Sequence, residues 1–280
     1  MTFAESIQSA FRDRPLITCI EHYAVIESTN DRARELGRQG IPEIALISAD
    51  EQTAGRGRQG RSWYTPPGTA LAFSLLTRPA IAARHAMRLT MLAGLAAVEG
   101  IEQATGLRLD LKWPNDIVYI GERPVTYSTG LHPSSFSPQP LKVGGILTEC
   151  AFQGDVLEYA VVGIGLNVNV DFSRQADLRE TATSLMNLYG QPIDRLAVLR
   201  GVANSFVDHY AWLSAADELR KAWAARLINL QRRIRVQLGV EVKDGYAEGV
   251  DMDGALLLRT DAGQLERMLS GDVTLHSVDE

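Results

Sequence analysis

Residues 52–68 read Gln-Thr-Ala-Gly-Arg-Gly-Arg-Gln-Gly-Arg-Ser-Trp-Tyr-Thr-Pro-Pro-Gly, and the run after the glycines constrains the fold more than any other stretch. Gly55, Gly57 and Gly60 have the spacing of a dinucleotide-binding fingerprint, in which the third glycine must open a helix that receives a pyrophosphate. Here the chain continues Arg61-Ser62-Trp63-Tyr64-Thr65-Pro66-Pro67. Consecutive prolines remove backbone N–H groups and push the residue before them out of helical angles, so no helix can start there. The same prolines, with Arg61 where a lysine is needed, exclude a P-loop. What is left is a loop carrying Arg56, Arg58 and Arg61 between glycines that let the backbone approach a ligand closely. Guanidinium forks match carboxylate and phosphate oxygens two at a time. The chain has 28 Lys and Arg against 34 Asp and Glu, a net charge of −6, so this cluster stands against an acidic background. It reads as a flexible anion-binding loop that folds over a phosphate-bearing ligand. A solvated basic loop or a nucleic-acid contact is the alternative, although an acidic chain is a poor general binder of nucleic acid or membrane surfaces.

The surrounding pattern predicts an α+β fold. Ser28-Thr29-Asn30-Asp31 offers small polar caps for a short helix with Ala33 and Leu36 on one face. Ile44–Ala49 and Ala70–Leu76 read as strands, and Met87, Met91, Leu95, Val98 and Ile101 predict a long amphipathic helix over 81–103. Leu107, Leu109, Leu111 and Trp113 alternate as a half-buried strand that stops at Pro114-Asn115-Asp116. The segment 124–140, rich in Pro and Ser, predicts a surface loop. Strands over 143–152 and 156–168 come next, then helical periodicity from 194 to 228. After Arg232, short apolar runs separated by Asp244-Gly245, Asp253-Gly254 and Ser270-Gly271 predict a small antiparallel β-domain. The expected division is 1–230 and 231–280.

Several function classes drop out. The N-terminal residues lack the uninterrupted apolar core of a signal peptide, and no run is long and apolar enough to span a membrane. Cys19 and Cys150 are far apart with no CxxC spacing, which predicts two buried thiols in a reduced, cytoplasmic compartment. The five His residues show no metal-ligand spacing, and there is no GxSxG nucleophile.

Taken in order, Ser28-Thr29-Asn30, GRGRQGRSW (55–63), KWPND (112–116), KVGGIL (142–147), GIGLNVN (163–169) and the closing Ser-Gly-Asp-Val (270–273) resemble the biotin protein ligases. The resemblance implies a mixed-sheet catalytic domain with a small C-terminal SH3-like β-barrel. It also implies ATP and Mg²⁺ as cofactors, biotin as substrate, and a biotin carboxyl carrier protein or domain as partner. Carried over residue by residue, Ser28, Thr29, Asn30 and Gln52 would hold biotin. Arg56, Gly57 and Arg58 would close over biotin and its adenylate. Arg61, Trp63, Asn115 and Asn167 would contact ATP. Lys142 would meet the biotin carboxylate and α-phosphate, and Asp116 would lie near Mg²⁺ and the acceptor lysine. The structural alternatives are a surface lysine for Lys142, a turn-capping residue for Asp116 and a core residue for Trp63. Two departures accompany the resemblance. The chain before Ser28 is too short for the winged helix that binds DNA in bifunctional members, so repression is not expected. The 124–140 segment is longer than the turn expected there.

The reading is thus an ATP-dependent ligase that forms biotinyl-5′-AMP and transfers biotin to a lysine, as a monomer or homodimer. Its rivals are a lipoate or octanoate ligase and a non-catalytic biotin or adenylate sensor.

Overall fold

The computed structural model describes residues 2–42, 44–121, 140–173, 175 and 177–275; the 124–139 stretch lies outside them. Helix α1 (Phe3–Ala10) opens with a Thr2–Glu5 capping box and lays Ile7 into the core beside strand β1 (Ile17–Ile26). Then come α2 (Thr29–Arg38), β2 (Ile44–Gln52), β3 (Leu71–Thr77), α3 (Arg88–Thr105), β4 (Asp110–Lys112), β5 (Asp116–Tyr119), β6 (Leu141–Gln153) and β7 (Val156–Leu166). These strands form one seven-stranded sheet in the order β1-β2-β3-β7-β6-β5-β4, parallel between β1 and β2 and antiparallel elsewhere.

The sheet is covered on both faces, which is why its central strands are apolar throughout. On β2, Ile44 and Leu46 enter the main core with α3, while Ala45 and Ile47 pack on the other face with Ala33 and Leu36 of α2. Behind α3 lies α5 (Arg195–Asp208), and the two helices cross at Gly100 and Gly201, where a Cβ on either would run into the other's backbone.

Propensity and outcome differ in several places. The helix expected from residue 81 begins at Arg88, because 83–85 form a 3-10 turn whose His85 is drawn to Asp253. The strand expected from Leu107 has only Asp110–Lys112 in the ladder. The 194–228 periodicity is divided between α5, a 3-10 turn at Tyr210–Leu213 and α6 (Ala216–Ala224). Ahead of α5 lies α4 (Leu185–Tyr189), short and capped by Ser184. Cys19 and Cys150 are half-buried rather than buried.

The C-terminal part is a five-stranded antiparallel sheet, β11-β10-β9-β8-β12, built from β8 (Arg233–Leu238), β9 (Glu241–Val250), β10 (Leu256–Thr260), β11 (Leu265–Met268) and β12 (Asp272–Leu275). It has the SH3-like arrangement, but among the described residues no pairing joins β11 to β12, so the sheet stays open. Asp244-Gly245 is not a turn. It lies inside β9, where Gly245 allows the Arg259 carbonyl to come close, and the hairpin bends instead at Gly239, with φ 62°. No described helix is long and apolar enough to cross a membrane.

Candidate active site

A cavity of about 610 Å³ opens on the α2 face of the large sheet. Strand periodicity makes it. The β7 residues on that face are Tyr159, Val161, Gly163 and Gly165, so the side chains shrink to hydrogen as the strand leaves α2. Gly165 pairs with Gly145 of β6, and together they form a flat floor. The indole of Trp63 lies on this floor: a Cβ at Gly165 would overlap it, and one at Gly145 would stand 3.7 Å away. A Cβ at Gly163 would overlap the Asn30 amide.

Every residue singled out in the sequence lines this cavity: Ser28, Thr29, Asn30, Gln52, Arg56, Gly57, Arg58, Arg61, Trp63, Asn115, Asp116, Lys142 and Asn167. The closed end is neutral. Ser28, Thr29 and Asn30 are buried at the start of α2. Ser28 stands at the N-cap, but its side chain makes no cap bond. The Gln52 Oε1 takes that part, accepting from the Thr29 N–H at 2.9 Å and the Thr29 hydroxyl at 3.1 Å. Ser74 donates to Asn30 Oδ1 at 2.6 Å, and the Asn30 amide donates to Glu149 at 2.6 Å.

The glycine–arginine loop is a hairpin pinned by ladder bonds, not a loose strap. The Trp63 N–H donates to Gly55 at 2.8 Å and the Gly57 N–H to Arg61 at 2.7 Å, with Gln59 and Gly60 at positive φ forming the tip. Arg56 grips Asp31 of α2 through two bonds of 2.7 and 2.6 Å. Those bonds hold the Asp31 carboxyl down at about 2. Arg58 reaches inward to Asn115 Oδ1 at 3.0 Å, and burial pulls its guanidinium pKa down.

The mouth is charged. Lys142 pairs with Asp116 at 2.6 Å and lies 5.7 Å from the Trp63 ring centre. Asn115 ties the KWPND corner to β6 by donating to Ile146 at 2.8 Å. The Asn167 amide braces the backbone, donating to Thr183 at 3.1 Å and to Lys142 at 3.4 Å.

Two contributions are not foreseen by the sequence pattern. Lys112, in the quoted KWPND, also lines the cavity, and burial lowers its pKa. The C-terminal sheet supplies Gly271, Asp272, Val273 and Thr274 to the wall, and Asp272 pairs with Arg61. That sheet is anchored by its Asp251–Ala255 turn. Asp253 accepts from Arg88 at 2.8 Å and pairs with His85 at 2.7 Å, while the Trp113 indole donates to the Gly254 carbonyl at 2.9 Å.

The profile of the biotin/lipoate A/B protein ligase family matches residues 23–167, and that of the biotin protein ligase C-terminal domain matches 230–275. The chain is 34% identical over 257 residues to the bifunctional ligase/repressor BirA of Bacillus subtilis, covering 91% of this chain and 73% of that protein. It is 33% identical to a biotin--[acetyl-CoA-carboxylase] ligase of Paracoccus denitrificans, covering 85% and 93%. Among solved structures, it matches the biotin protein ligase from Aquifex aeolicus in complex with biotin and ATP. The TM-score is 0.71 at 25% identity, covering 93% of this chain and 99% of that one.

Proposed function

This chain belongs to the biotin/lipoate A/B protein ligase family and is a biotin ligase; from that premise we propose that it converts biotin and ATP to biotinyl-5′-AMP and transfers biotin to a lysine of a biotin carboxyl carrier domain. One observation carries this reading: a single cavity joins a buried, neutral, hydrogen-bonding end to a cationic mouth. The neutral end suits the cyclic urea of biotin. A dithiolane or an alkyl chain offers neither donor nor acceptor to Ser28, Thr29, Asn30 and Gln52, whereas a cyclic urea carries both.

In the first step a biotin carboxylate oxygen attacks the α-phosphorus, the bond to the bridging oxygen breaks, and pyrophosphate leaves with the electron pair. Two anions must meet, so the chain's task is electrostatic and positional. Lys142 and Arg58 flank the meeting point, and Trp63 with the hairpin shields the mixed anhydride from water. In the second step the neutral acceptor amine attacks the carbonyl carbon and AMP leaves. Asp116, released when Lys142 turns to the ligand, takes the proton.

Among the described residues no three His, Cys, Asp or Glu side chains converge as a metal site. Asp116 lines the cavity, and one carboxylate beside substrate phosphates is a common way to hold Mg²⁺. The residues therefore fit a Mg²⁺ ion that arrives with the nucleotide, where it neutralises phosphate charge.

The test is exchange of labelled pyrophosphate into ATP, with biotin, lipoate and octanoate in parallel. Exchange with biotin alone is expected. Exchange with lipoate or octanoate would transfer the chain to the sister activity, and none with any acid would favour the sensor reading.

A further inference from the structure

The closed end of the cavity is neutral, yet a carboxylate stands directly behind it. Glu149 of β6 lies opposite Val161 of β7, two residues beyond Leu147 on the α2 face of the sheet. It is not part of the cavity wall. Its Oε2 accepts from the Asn30 amide at 2.6 Å, while Arg34 approaches Oε1 to 3.5 Å and Arg56 approaches Oε2 to 4.0 Å. Both guanidinium groups also bind Asp31, so the carboxylate sits in a charged cluster whose one neutral member, Asn30, faces the cavity.

A carboxylate at this point decides something that shape cannot. The oxygen and nitrogen ends of a primary amide are nearly the same size, so packing alone does not choose which end of Asn30 faces which neighbour. Ser74, on the other side of the amide, does not choose either, because a hydroxyl can donate or accept. It lies 2.6 Å from Asn30 Oδ1 and 2.7 Å from the Thr29 hydroxyl, with a single proton to give. The Glu149 carboxylate can only accept. It takes the NH2 end of Asn30 and turns Oδ1 to Ser74 and the glycine floor, where a Cβ at Gly163 would come within 2.3 Å of that oxygen. The Leu147 carbonyl, 3.4 Å from the same NH2, works in the same sense. Ser74 then gives its proton to Asn30. With the amide reversed, the NH2 would donate to Ser74, and the Ser74 proton would pass to Thr29. Gln52 is settled independently, since the Thr29 backbone N–H fixes its oxygen.

We propose that Glu149 is a positioning residue for ligand recognition: it sets the direction of the Thr29–Ser74–Asn30 hydrogen-bond chain, so that Asn30 presents an acceptor to the cavity and selects a ring N–H over a ring oxygen. This deepens the biotin reading above and rests on it. A cyclic urea has an N–H for the Asn30 oxygen to bind, whereas an oxygen set against that oxygen leaves both without a proton. A carboxylate in the wall itself would bring its charge into the pocket; behind Asn30 it polarises the wall and leaves it neutral.

Titration calorimetry on the full-length protein tests this, with biotin and with the two cyclic carbamates in which one ring N–H of biotin is replaced by oxygen. Wild type should bind one of the two carbamates about a hundredfold more weakly than biotin, because the Asn30 oxygen loses its donor. E149Q keeps the size but accepts either end of the amide, and should cut that preference to about tenfold or less. E149D still only accepts, so its preference should stay within about threefold of wild type even where both affinities weaken. S74A removes the ambivalent neighbour and leaves Glu149 in charge, and it too should keep the preference. A preference in E149Q within about threefold of wild type would overturn the proposal, as would an equal loss in E149D or a loss in S74A. Equal binding of biotin and both carbamates by wild type would also overturn it. A wild-type protein that binds lipoate as well as biotin would overturn the biotin reading itself, and this assignment with it.

Discussion

The two ends of the cavity are built on opposite principles. The closed end is neutral and buried, and its side chains satisfy one another: Gln52 with Thr29, and Ser74 with Asn30. The mouth is half-exposed and charged, and its pairs (Lys142 with Asp116, Arg61 with Asp272) leave ions free to change partners. Buried neutral bonds fix shape, because a missing partner is expensive there. Exposed ion pairs are cheap to exchange, so they suit a region where charge is created and carried away. The closed end rests on the large sheet and α2 alone, whereas the mouth draws on both sheets. Recognition and chemistry are thereby supported separately, and each can be damaged without the other.

The largest expected effect strikes the mouth. Lys142→Ala should lower adenylate formation by about a hundred- to a thousandfold, as loss of a central charge-stabilising group does. Biotin-dependent exchange measures it, and an unchanged rate would remove Lys142 from the step. Next is the closed end. Gly163→Ala drives a methyl against the Asn30 amide, and overpacking of this kind costs about 1–3 kcal/mol. Biotin affinity should fall in titration calorimetry while the KM for ATP holds; parallel losses of both would break the separation of the two ends. Arg58→Ala removes the inward-reaching fork, and hydrogen bonds from charged groups are worth about 1.5–3 kcal/mol. Biotinyl-AMP should leak from this variant about tenfold faster or more in a filter-retention assay. Retention equal to wild type would deny the loop its grip.

Smaller effects sharpen the comparison. Asp272→Asn breaks an exposed ion pair, of a kind that contributes about 0–1 kcal/mol. The KM for ATP should rise less than about fivefold, with biotin affinity and melting temperature unchanged. The Arg56–Asp31 anchor should be the quietest. With the carboxyl lowered from 3.8 to about 2, its contribution is present above pH 3.8 and disappears as the pH falls toward 2. Trp63 fluorescence should therefore report no change at the hairpin between about pH 5 and 9, and a transition in that range would assign the anchor elsewhere.

Local pattern makes much of this legible. The central strands, α2 and the loop that cannot enter a helix all come from periodicity and from Pro66-Pro67. Long-range contacts explain the rest. Helix α3 starts later than its periodicity predicts because Asp253, 165 residues away from Arg88, holds the preceding turn in another form. Ser28 has the composition of a cap, yet Gln52 supplies the bond from β2. Asp272 gives no local signal because its partner Arg61 is 211 residues distant, and Lys112 gives none because an unpaired lysine within a motif carries no pattern of its own. Asp244-Gly245 has a turn's composition, but the glycine answers a neighbouring carbonyl instead.

The bond from the Trp113 indole to Gly254 has a consequence in time. It joins residues 141 apart. Contacts this distant close large loops and form late, since chain entropy must be given up before they are rewarded. On a ribosome, the segments that build the closed end emerge well before the Asp251–Ala255 turn that seats the KWPND corner. A growing chain therefore gains its neutral pocket first, and the corner that meets the nucleotide settles only once the last fold-defining strands are out.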